Sequence, residues 1–453
     1  ICSLQLHQSQ GLMLSRHVFI LLSAWMMWGG YCYAAYGLER ESFAVLCTIW
    51  LVGAAMCYWW VHSQRFSLRQ GLWLGAVIRA SLFFATPELS QDFYRYLWDG
   101  HLLQLGINPY QYTPTAWLQQ FDANLIPQAH DLIQGMGELS AGNHSNYPPL
   151  HQGVFYLATI FGNSLLSGIV GLRLFVLLGD VLVCYFGLKI LDLVKLPKKR
   201  ILWYVLNPLV LLELTASLHL EGLMLGLLLM GLYGIFSLRI GATVLGVGSA
   251  ISLKLLPLLT LPVIFRYVKP YNNWRIVVGV MGLTIVSFTP FVSKDMLINY
   301  PSTIGLWFTN FEFNGSLYYI VRAIGSEWVG YNPIRTVGKV LPWISAMVLL
   351  LLWSKHPLRN KKQFFDLAGL GFCVYLFLST TVHPWYLVLP LGMSIFGNYR
   401  FPFVWSALVV LSYSAYSPSG FKENMLLITT EYLLVYAVLV WEVFFKKTPT
   451  TTT

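Results

Sequence analysis

The residues best suited to chemistry lie in one short stretch, 88–112, which combines two Asp, one Arg, one His, one Trp and several Tyr directly after an apolar segment. Asp92 and Asp99 are seven residues apart, so on a helix they share a face about two turns apart. A carboxylate beside Tyr94 and Arg95, half shielded from water, can be tuned as a general base. Charged groups at the mouth of a membrane bundle indicate a functional site.

Both aspartates also have structural interpretations. Ser90 or Asp92 can cap the N-terminus of the helix that follows, as such residues commonly do. Asp99 can form an ion pair with Arg95, its i,i+4 neighbour. We favour the ion pair for Asp99 and keep both interpretations open for Asp92.

Three further motifs place ionisable groups at the ends of apolar segments. His219 and Glu221 stand in a short link, where they can relay a proton, contact a sugar hydroxyl or simply form a polar loop. Lys254 lies at a helix break, where its ammonium can neutralise a lipid phosphate or snorkel to the interface. His383 opens the sequence HPWY, whose aromatic wall suits a sugar phosphate or an interfacial anchor.

Two Pro- and Tyr-rich sequences, GINPYQYTP and NYPPL, are typical of ordered turns, and Tyr147 belongs to the second. A later sequence, FEFNGSLYY, contains Glu312 and a glycosylation sequon at Asn314. Arg322 follows it within the same polar segment. These residues support a site on the same side as the first loop.

Composition identifies the class of protein that must position these groups. The 453 residues are 56% hydrophobic and only 11% charged, whereas soluble domains carry about 25% charged residues. The net charge of +10 comes from basic clusters between apolar segments, which is typical of cytoplasmic loops and not of a nucleic-acid-binding face. We therefore predict an all-α polytopic membrane protein with about 11–14 transmembrane helices and no nucleic-acid partner.

The basic residues predict the orientation of the bundle. With a cytoplasmic N-terminus, 18 of the 29 Lys and Arg fall on the cytoplasmic side. This requires 150–165 to lie on the outer surface and 241–265 to enter and return, with Lys254 at the outer turn. A single span with a buried Lys is the alternative, at a cost of about 3 kcal/mol. Two loops, 88–167 and 293–337, then lie outside with the ionisable residues.

These patterns predict one membrane-embedded domain over residues 1–445 in a bacterial inner membrane, with both termini cytoplasmic. The tail 446–453 is of low complexity and is predicted to be disordered. The six Cys show neither CxxC nor Cys/His spacing, so no disulfide framework or zinc site is indicated. Neither a Walker A sequence nor GxGxxG occurs, so no nucleotide site is indicated.

The first loop resembles that of the GT-C glycosyltransferases, which use polyprenyl-phosphate sugars. The mannosyltransferase-like branch, including bacterial polyprenol-phosphate-mannose-dependent enzymes and GPI mannosyltransferase I, has an Asp-Tyr-Arg run followed by two Pro-Tyr turns. Here Asp92, Tyr94 and Arg95 are followed by turns at 108–110 and 147–149 in corresponding order. The later HxE, KLLP and HPWY sequences also resemble landmarks of this family.

The resemblance implies an inverting transfer of a hexose, mannose above others, from a polyprenyl-phosphate donor to a glycan or lipid acceptor at the outer face of the membrane. Asp92 would be the base for the acceptor hydroxyl. GPI mannosyltransferase I carries an additional Asp at the position of Ser90, which weakens the case for a metal-bridging pair here and leaves metal dependence open. The residues assigned to donor phosphate and sugar are Lys254, Arg95, His383, Tyr94 and Tyr386, and those assigned supporting roles are Asp99, His219, Glu221, Tyr147, Glu312 and Arg322.

Two other functions remain as alternatives. A transporter or flippase for lipid-linked sugars predicts ionisable residues deep in several spans and broken helices in two related halves. Arg79, Asp180 and Glu213 do lie within apolar segments, but no twofold relation is visible in the sequence. A polysaccharide polymerase or ligase would instead carry its Arg and His in late loops.

Overall fold

The computed structural model describes residues 2–268 and 274–446. Regular structure in these residues is helical apart from one two-stranded hairpin, which confirms the predicted all-α class. The predicted disordered tail lies outside the described residues, except for Lys446.

Helices follow one another with short links. The α-helices are α1 (Cys2–Tyr36), α2 (Phe43–His62), α3 (Leu68–Ser81), α4 (Asp92–Gln104), α5 (Pro114–Gln120), α6 (Ala129–Ala141), α7 (Pro149–Thr159), α8 (Leu165–Leu193), α9 (Leu202–Val205), α10 (Glu221–Phe236), α11 (Ile240–Leu253), α12 (Leu261–Val268), α13 (Trp274–Phe288), α14 (Lys294–Thr309), α15 (Leu317–Val329), α16 (Ile334–Lys355), α17 (Lys361–Phe377), α18 (Val388–Ser394), α19 (Phe401–Leu408) and α20 (Met425–Val440). The hairpin pairs β1 (Tyr416–Ser417) with β2 (Gly420–Phe421). The short 3₁₀ and π segments are Ala123–Leu125, Lys198–Ile201, Val210–Ala216, Leu256–Thr260, Thr289–Phe291, Pro384–Leu387, Val409–Ala415 and Trp441–Phe445.

Six helices in the described chain are long and apolar enough to cross a membrane: Val18–Tyr36, Phe43–His62, Leu165–Leu193, Trp274–Phe291, Ile334–Lys355 and Met425–Phe445. A seventh is present if Val210–Ala216 and α10 form one span bent by 105°. Three shorter apolar helices add to these. The long helices are fewer than the 11–14 spans predicted because several apolar segments are broken into short helices, too short for the roughly 20 residues of a straight span.

The predicted in-and-out course of 241–265 is confirmed by its packing. Helix α11 ends before Lys254, whose backbone is extended at φ −147° and ψ 142°. At this break Lys254 pairs with Glu221, the first residue of α10. The Tyr267 ring lies 5.6 Å from that of Phe236, at the other end of α10. Helix α11 therefore runs beside α10 towards Glu221, the chain turns at Lys254, and α12 returns towards Phe236. This course excludes a single long span.

Helix α7 covers one end of the bundle and does not cross it. Its 11 residues span about 16 Å, which is half of a bilayer core. It packs against α4, where a Cβ on Gly100 would lie 2.5 Å from the carbonyl oxygen of Phe155. The length of α7 agrees with the expectation that 150–165 does not cross, its place on the outer surface stays a prediction, and the close approach fixes α4 on α7.

Basic links gather at the opposite end of the helices. Lys199 donates to the carbonyl of Ser63, in the link between α2 and α3. Arg200 donates to the carbonyls of Ser394 and Gly397 at 3.0 and 2.9 Å. The bundle therefore has one basic end and, across it, the end that carries the acidic loop residues.

Candidate active site

Asp92 begins α4 and faces a cluster of charged side chains. The Ser90 hydroxyl accepts the Asp92 backbone N–H at 3.2 Å. The N-cap of α4 is Gln91, which makes no side-chain hydrogen bond, so neither Ser90 nor the Asp92 carboxylate caps the helix from the N-cap position. That carboxylate is half-buried, and the nearby Tyr96 hydroxyl favours its charged form. Burial raises the pKa of Asp92 to about 6, although Lys254 and Arg40 oppose the rise. A carboxyl with this pKa, held in a cluster, is suited to general-base work near neutral pH.

Lys254 and Glu221 form an ion pair beside Asp92. Their side chains are 20% and 1% exposed, and the Lys254 ammonium donates to Glu221 Oε1. The ammonium lies 5.7 Å from the ring centroid of Tyr386. Three predicted site residues from distant parts of the chain therefore meet at Asp92. The ion pair also means that Lys254 is not a free cation in this state.

Arg40 is a site residue that the sequence analysis missed. It lies in the link between α1 and α2, and its guanidinium carbon stacks 3.4 Å from the ring centroid of Tyr416. Within the described residues it has no acidic ion-pair partner, and its buried Nε has no hydrogen-bond partner. Its charge reaches both Asp92 and His383. The sequence signal that could have identified Arg40 is its position. It is a basic residue in a short link on the outer side, where the positive-inside rule predicts few Lys and Arg.

The HPWY sequence forms a stack, but not the sugar-facing wall that we expected. The Trp385 ring lies 3.7 Å from that of His219 on one side and 4.5 Å from that of His383 on the other. Phe313 covers the outer face of His383 at 5.1 Å. Because both faces of the indole are covered, Trp385 has no free face for a sugar ring. This corrects the expected aromatic wall.

His383 is also not the cation that we expected to neutralise a phosphate. Burial, followed by the charges of Arg40 and Lys254, lowers the pKa of His383 to about 3. Its imidazole is therefore neutral at physiological pH. It remains at the site as a stacking group between Phe313 and Trp385.

The ion pair predicted for Asp99 is confirmed, and it stabilises the first loop. Arg95 Nε donates to Asp99 Oδ1 at 2.7 Å, with the carboxylate fully buried. Asp99 Oδ2 accepts from Ser145 at 2.6 Å and from Gln152 at 3.0 Å. Two carbonyls in 140–143 accept from Arg95 at 2.7 and 2.8 Å. Arg95 thus serves the fold of the loop, although its buried Nη2 has no hydrogen-bond partner among the described residues.

Some tyrosines of the loop lie at the Asp92 cluster, and others pack within the loop. Tyr147 packs against Tyr96 with ring centroids 5.1 Å apart, beside Asp92. Tyr94 instead lies on α6, where a Cβ on Gly135 would meet its ring at 2.5 Å. The structure therefore brings Tyr147 to the cluster and holds Tyr94, assigned to the donor, against the loop.

The second loop contributes to the site through its backbone. Phe313 donates to Thr380 and accepts from Val382, which seats its ring on His383. Glu312 and Arg322 pair with each other at 2.7 Å and are each 25% exposed. Their charges are thus mutually satisfied, and the supporting role assigned to both residues stays a prediction.

The asparagine of the sequon in this loop is buried and hydrogen-bonded. Asn314 is fully buried, with a left-handed backbone at φ 48°. Its Nδ2 donates to Glu431 at 3.2 Å and its backbone N–H to Glu423 at 2.6 Å. A glycan on this side chain would require the loop to unfold.

No group of three or more His, Cys, Asp or Glu side chains that could hold a metal ion occurs among residues 2–268 and 274–446. The cluster at Asp92 combines two carboxylates, one ammonium and one guanidinium. Such a site can accept a proton and can stabilise an anionic leaving group.

Comparisons with known proteins by family profile and by sequence match alpha-(1->6)-mannopyranosyltransferases. Residues 34–269, just over half of the chain, match the profile described as "Alpha-(1->6)-mannopyranosyltransferase, N-terminal domain". The chain is 25% identical to alpha-(1->6)-mannopyranosyltransferase A of Mycobacterium tuberculosis, over 70% of this chain and 63% of that protein. It is 28% identical to the protein of the same name from Corynebacterium glutamicum, over 40% of this chain and 35% of that protein. No solved structure gave a significant match. The matched segment contains Arg40, Asp92, Glu221 and Lys254.

Proposed function

Because the chain belongs to the alpha-(1->6)-mannopyranosyltransferase family, we propose that it is an inverting mannosyltransferase that uses a polyprenyl-phosphate mannose donor. The chain spans about 63% of the first relative's length, so the activity of the whole protein is part of this proposal. The observation that carries it is the half-buried Asp92 carboxylate, with its raised pKa, beside Lys254 and Arg40.

Asp92 removes the proton from the attacking hydroxyl of the acceptor. The hydroxyl oxygen forms a bond to the anomeric carbon, and the bond from that carbon to the phosphate oxygen breaks. The electron pair leaves with the polyprenyl phosphate, and the proton stays on Asp92. The nearby Tyr96 hydroxyl favours the charged form of the carboxylate that this step needs. A positioned base of this kind contributes roughly 10²–10⁴-fold to the rate.

The departing phosphate gains negative charge, so cations must lie near it. Arg40 has no acidic partner among the described residues, and Lys254 can exchange Glu221 for the phosphate. The polyprenyl chain lies among membrane lipids in a groove beside the broken helices. The acceptor is a glycan or glycolipid, and the site faces the extracytoplasmic side, opposite the basic end.

Two observations disfavour transport of a lipid-linked sugar. Arg79 and Asp180, two of the three ionisable residues predicted within spans, pair with each other at 2.6 Å, and Tyr204 closes the group at 2.8 Å. In the described part of the chain one helix pair forms a bent span, and not two in related halves. These charges are thus structural and do not line a transport path.

The test separates transfer from transport. Purified protein in vesicles is given radiolabelled polyprenyl-phosphate mannose and an acceptor extract, with and without a chelator of divalent ions. We expect the label to move to an acceptor in an α-(1→6) linkage. Label that stays on the lipid and crosses the bilayer would contradict the proposal, and loss of transfer with chelator would show that a divalent ion assists.

Arg40→Ala is expected to raise the KM for the donor by about 10- to 100-fold, because a charge-assisted hydrogen bond contributes about 1.5–3 kcal/mol. Lys254→Ala is expected to act in the same direction. The KM for the acceptor should change much less in both variants. Steady-state kinetics with each substrate varied in turn checks this.

Arg65→Ala is the matched control, because Arg65 is an exposed arginine in the link between α2 and α3. An unchanged donor KM in Arg40→Ala, or an equal rise in Arg65→Ala, would remove Arg40 from the donor site.

A further inference from the structure

A distorted stretch of backbone beside the site lies between α9 and α10. Val210–Ala216 forms a π-helix, Leu218 has φ +64°, and the chain bends by 105° before α10. Both π-helical turns and positive φ on a bulky residue cost energy and concentrate at functional sites. Irregular backbone at membrane depth is tolerated where it is buried in protein or lines a cavity.

Two fully buried polar side chains of this stretch, Glu213 and His219, face each other. Glu213 Oε1 accepts the Tyr413 hydroxyl at 2.5 Å, and Glu213 Oε2 lies 3.9 Å from His219 Nε2. That separation is too long for a hydrogen bond. Neither Oε2 nor Nε2 has any other partner among the described residues, although both residues are 0% exposed. Buried polar atoms without partners are rare in native proteins.

The geometry fits one bridging oxygen. A hydrogen-bonded oxygen lies about 2.8 Å from each partner, so one oxygen can reach both atoms across 3.9 Å. A hydroxyl can donate to the carboxylate and accept from the imidazole N–H at once. Tyr413 fixes the carboxylate and the Trp385 stack fixes the imidazole, so both groups are oriented in advance.

We propose that Glu213 and His219 form a subsite that recognises one hydroxyl of the transferred sugar ring and so sets donor specificity. Asp92, Arg40 and Glu221 all act electrostatically on Glu213, which places the subsite at the edge of the same cluster. Asp92 is assigned to the acceptor hydroxyl, which leaves the donor sugar as the group that reaches Glu213. This inference rests on the proposed function and names the part of the donor that is read.

A site built to bind a hydroxyl rejects the analogue that lacks it, because its own buried polar groups are then unpaired. Such discrimination reaches 10⁴–10⁵ in well-formed sites and is larger than the 10–200-fold that a methylene provides. We expect one monodeoxy donor to lose at least roughly 10²-fold in kcat/KM with the wild-type protein.

The experiment compares mannosyl, 2-, 3-, 4- and 6-deoxymannosyl polyprenyl phosphates in wild-type, Glu213→Gln and Glu431→Gln proteins. Glu431 is the matched control, since it is fully buried, and its Oε2 has no partner in the described chain. The penalty is the loss of kcat/KM for a deoxy donor relative to the mannosyl donor. We expect this penalty for one deoxy donor to fall by at least about tenfold in Glu213→Gln and to persist in Glu431→Gln. His219→Ala should relax the same donor position.

Equal penalties in wild type and Glu213→Gln would overturn the inference. An equal loss for every donor, together with a lower unfolding temperature, would also overturn it and indicate a structural water between the two side chains. Equilibrium binding of the same donors to the wild-type protein separates this result from the proposed function. If the donors bind selectively but no sugar is transferred, only the proposed mannosyltransferase activity is refuted. If sugar is transferred but neither binding nor kcat/KM distinguishes the donors, only the hydroxyl subsite is refuted.

Discussion

Asp92→Asn is expected to lower the rate of mannosyl transfer by roughly 10²–10⁴-fold, the usual contribution of a positioned general base. Asparagine keeps the size of the side chain but cannot accept the proton. Single-turnover transfer from a saturating labelled donor measures the effect without product release. Transfer at the wild-type rate would end the assignment of Asp92 as the base.

The same residue predicts the pH dependence. Burial raises the Asp92 pKa to about 6, so the reactive carboxylate is lost, and transfer slows, as pH falls through about 6. Between the ordinary aspartate pKa and 6 the folded protein binds more protons than the unfolded one, so stability contributed by Asp92 declines as pH rises through that window. Asp92→Asn should therefore unfold at an equal or higher temperature at neutral pH, which separates lost catalysis from lost folding.

Asp99→Ala is expected to lower the free energy of unfolding by about 3–5 kcal/mol, because it leaves the buried Arg95 guanidinium without its counter-charge. It also removes the acceptor of Ser145 and Gln152. Thermal unfolding in detergent and limited proteolysis within 88–167 measure the loss. Activity should fall with loop stability and should recover partly on cooling.

Two controls sharpen this result. Asp131→Ala removes an exposed aspartate from α6 of the same loop and should change little. The double variant Arg95→Met with Asp99→Leu removes both charges, and such replacements are often neutral or stabilising. If the double variant is stable but inactive, then the pair does more than hold the loop. If Asp99→Ala is as stable as Asp131→Ala, the pair does not hold the loop at all.

The features that the sequence predicted correctly depend on local spacing or on strong physical rules. The i,i+4 spacing predicted the Arg95–Asp99 pair, and the positive-inside rule predicted the turn at Lys254. Asp92 stood out because its loop resembles a known motif, and its role as the base stays a prediction. Each of these signals is contained in one segment or in the side of the membrane that a segment reaches.

The features that the sequence did not predict depend on contacts between distant segments. Arg40 stacks on Tyr416 across nearly the whole chain, and no local pattern encodes that contact. His219 and His383 cover the two faces of Trp385, although the HPWY sequence alone resembles an open aromatic wall. Similarly, the pairing of Lys254 with Glu221 follows only from the fold of α10 against α11.

The most direct test of the central claim is an experimental structure of the protein with polyprenyl phosphate bound. We predict that phosphate oxygens lie within hydrogen-bonding distance of the Arg40 guanidinium and the Lys254 ammonium, with Lys254 shifted from Glu221. The Asp92 carboxylate should then face the side of the phosphate from which a donor sugar projects. A phosphate bound instead at Arg322, or among the basic links around Lys199, would contradict this assignment of the active site.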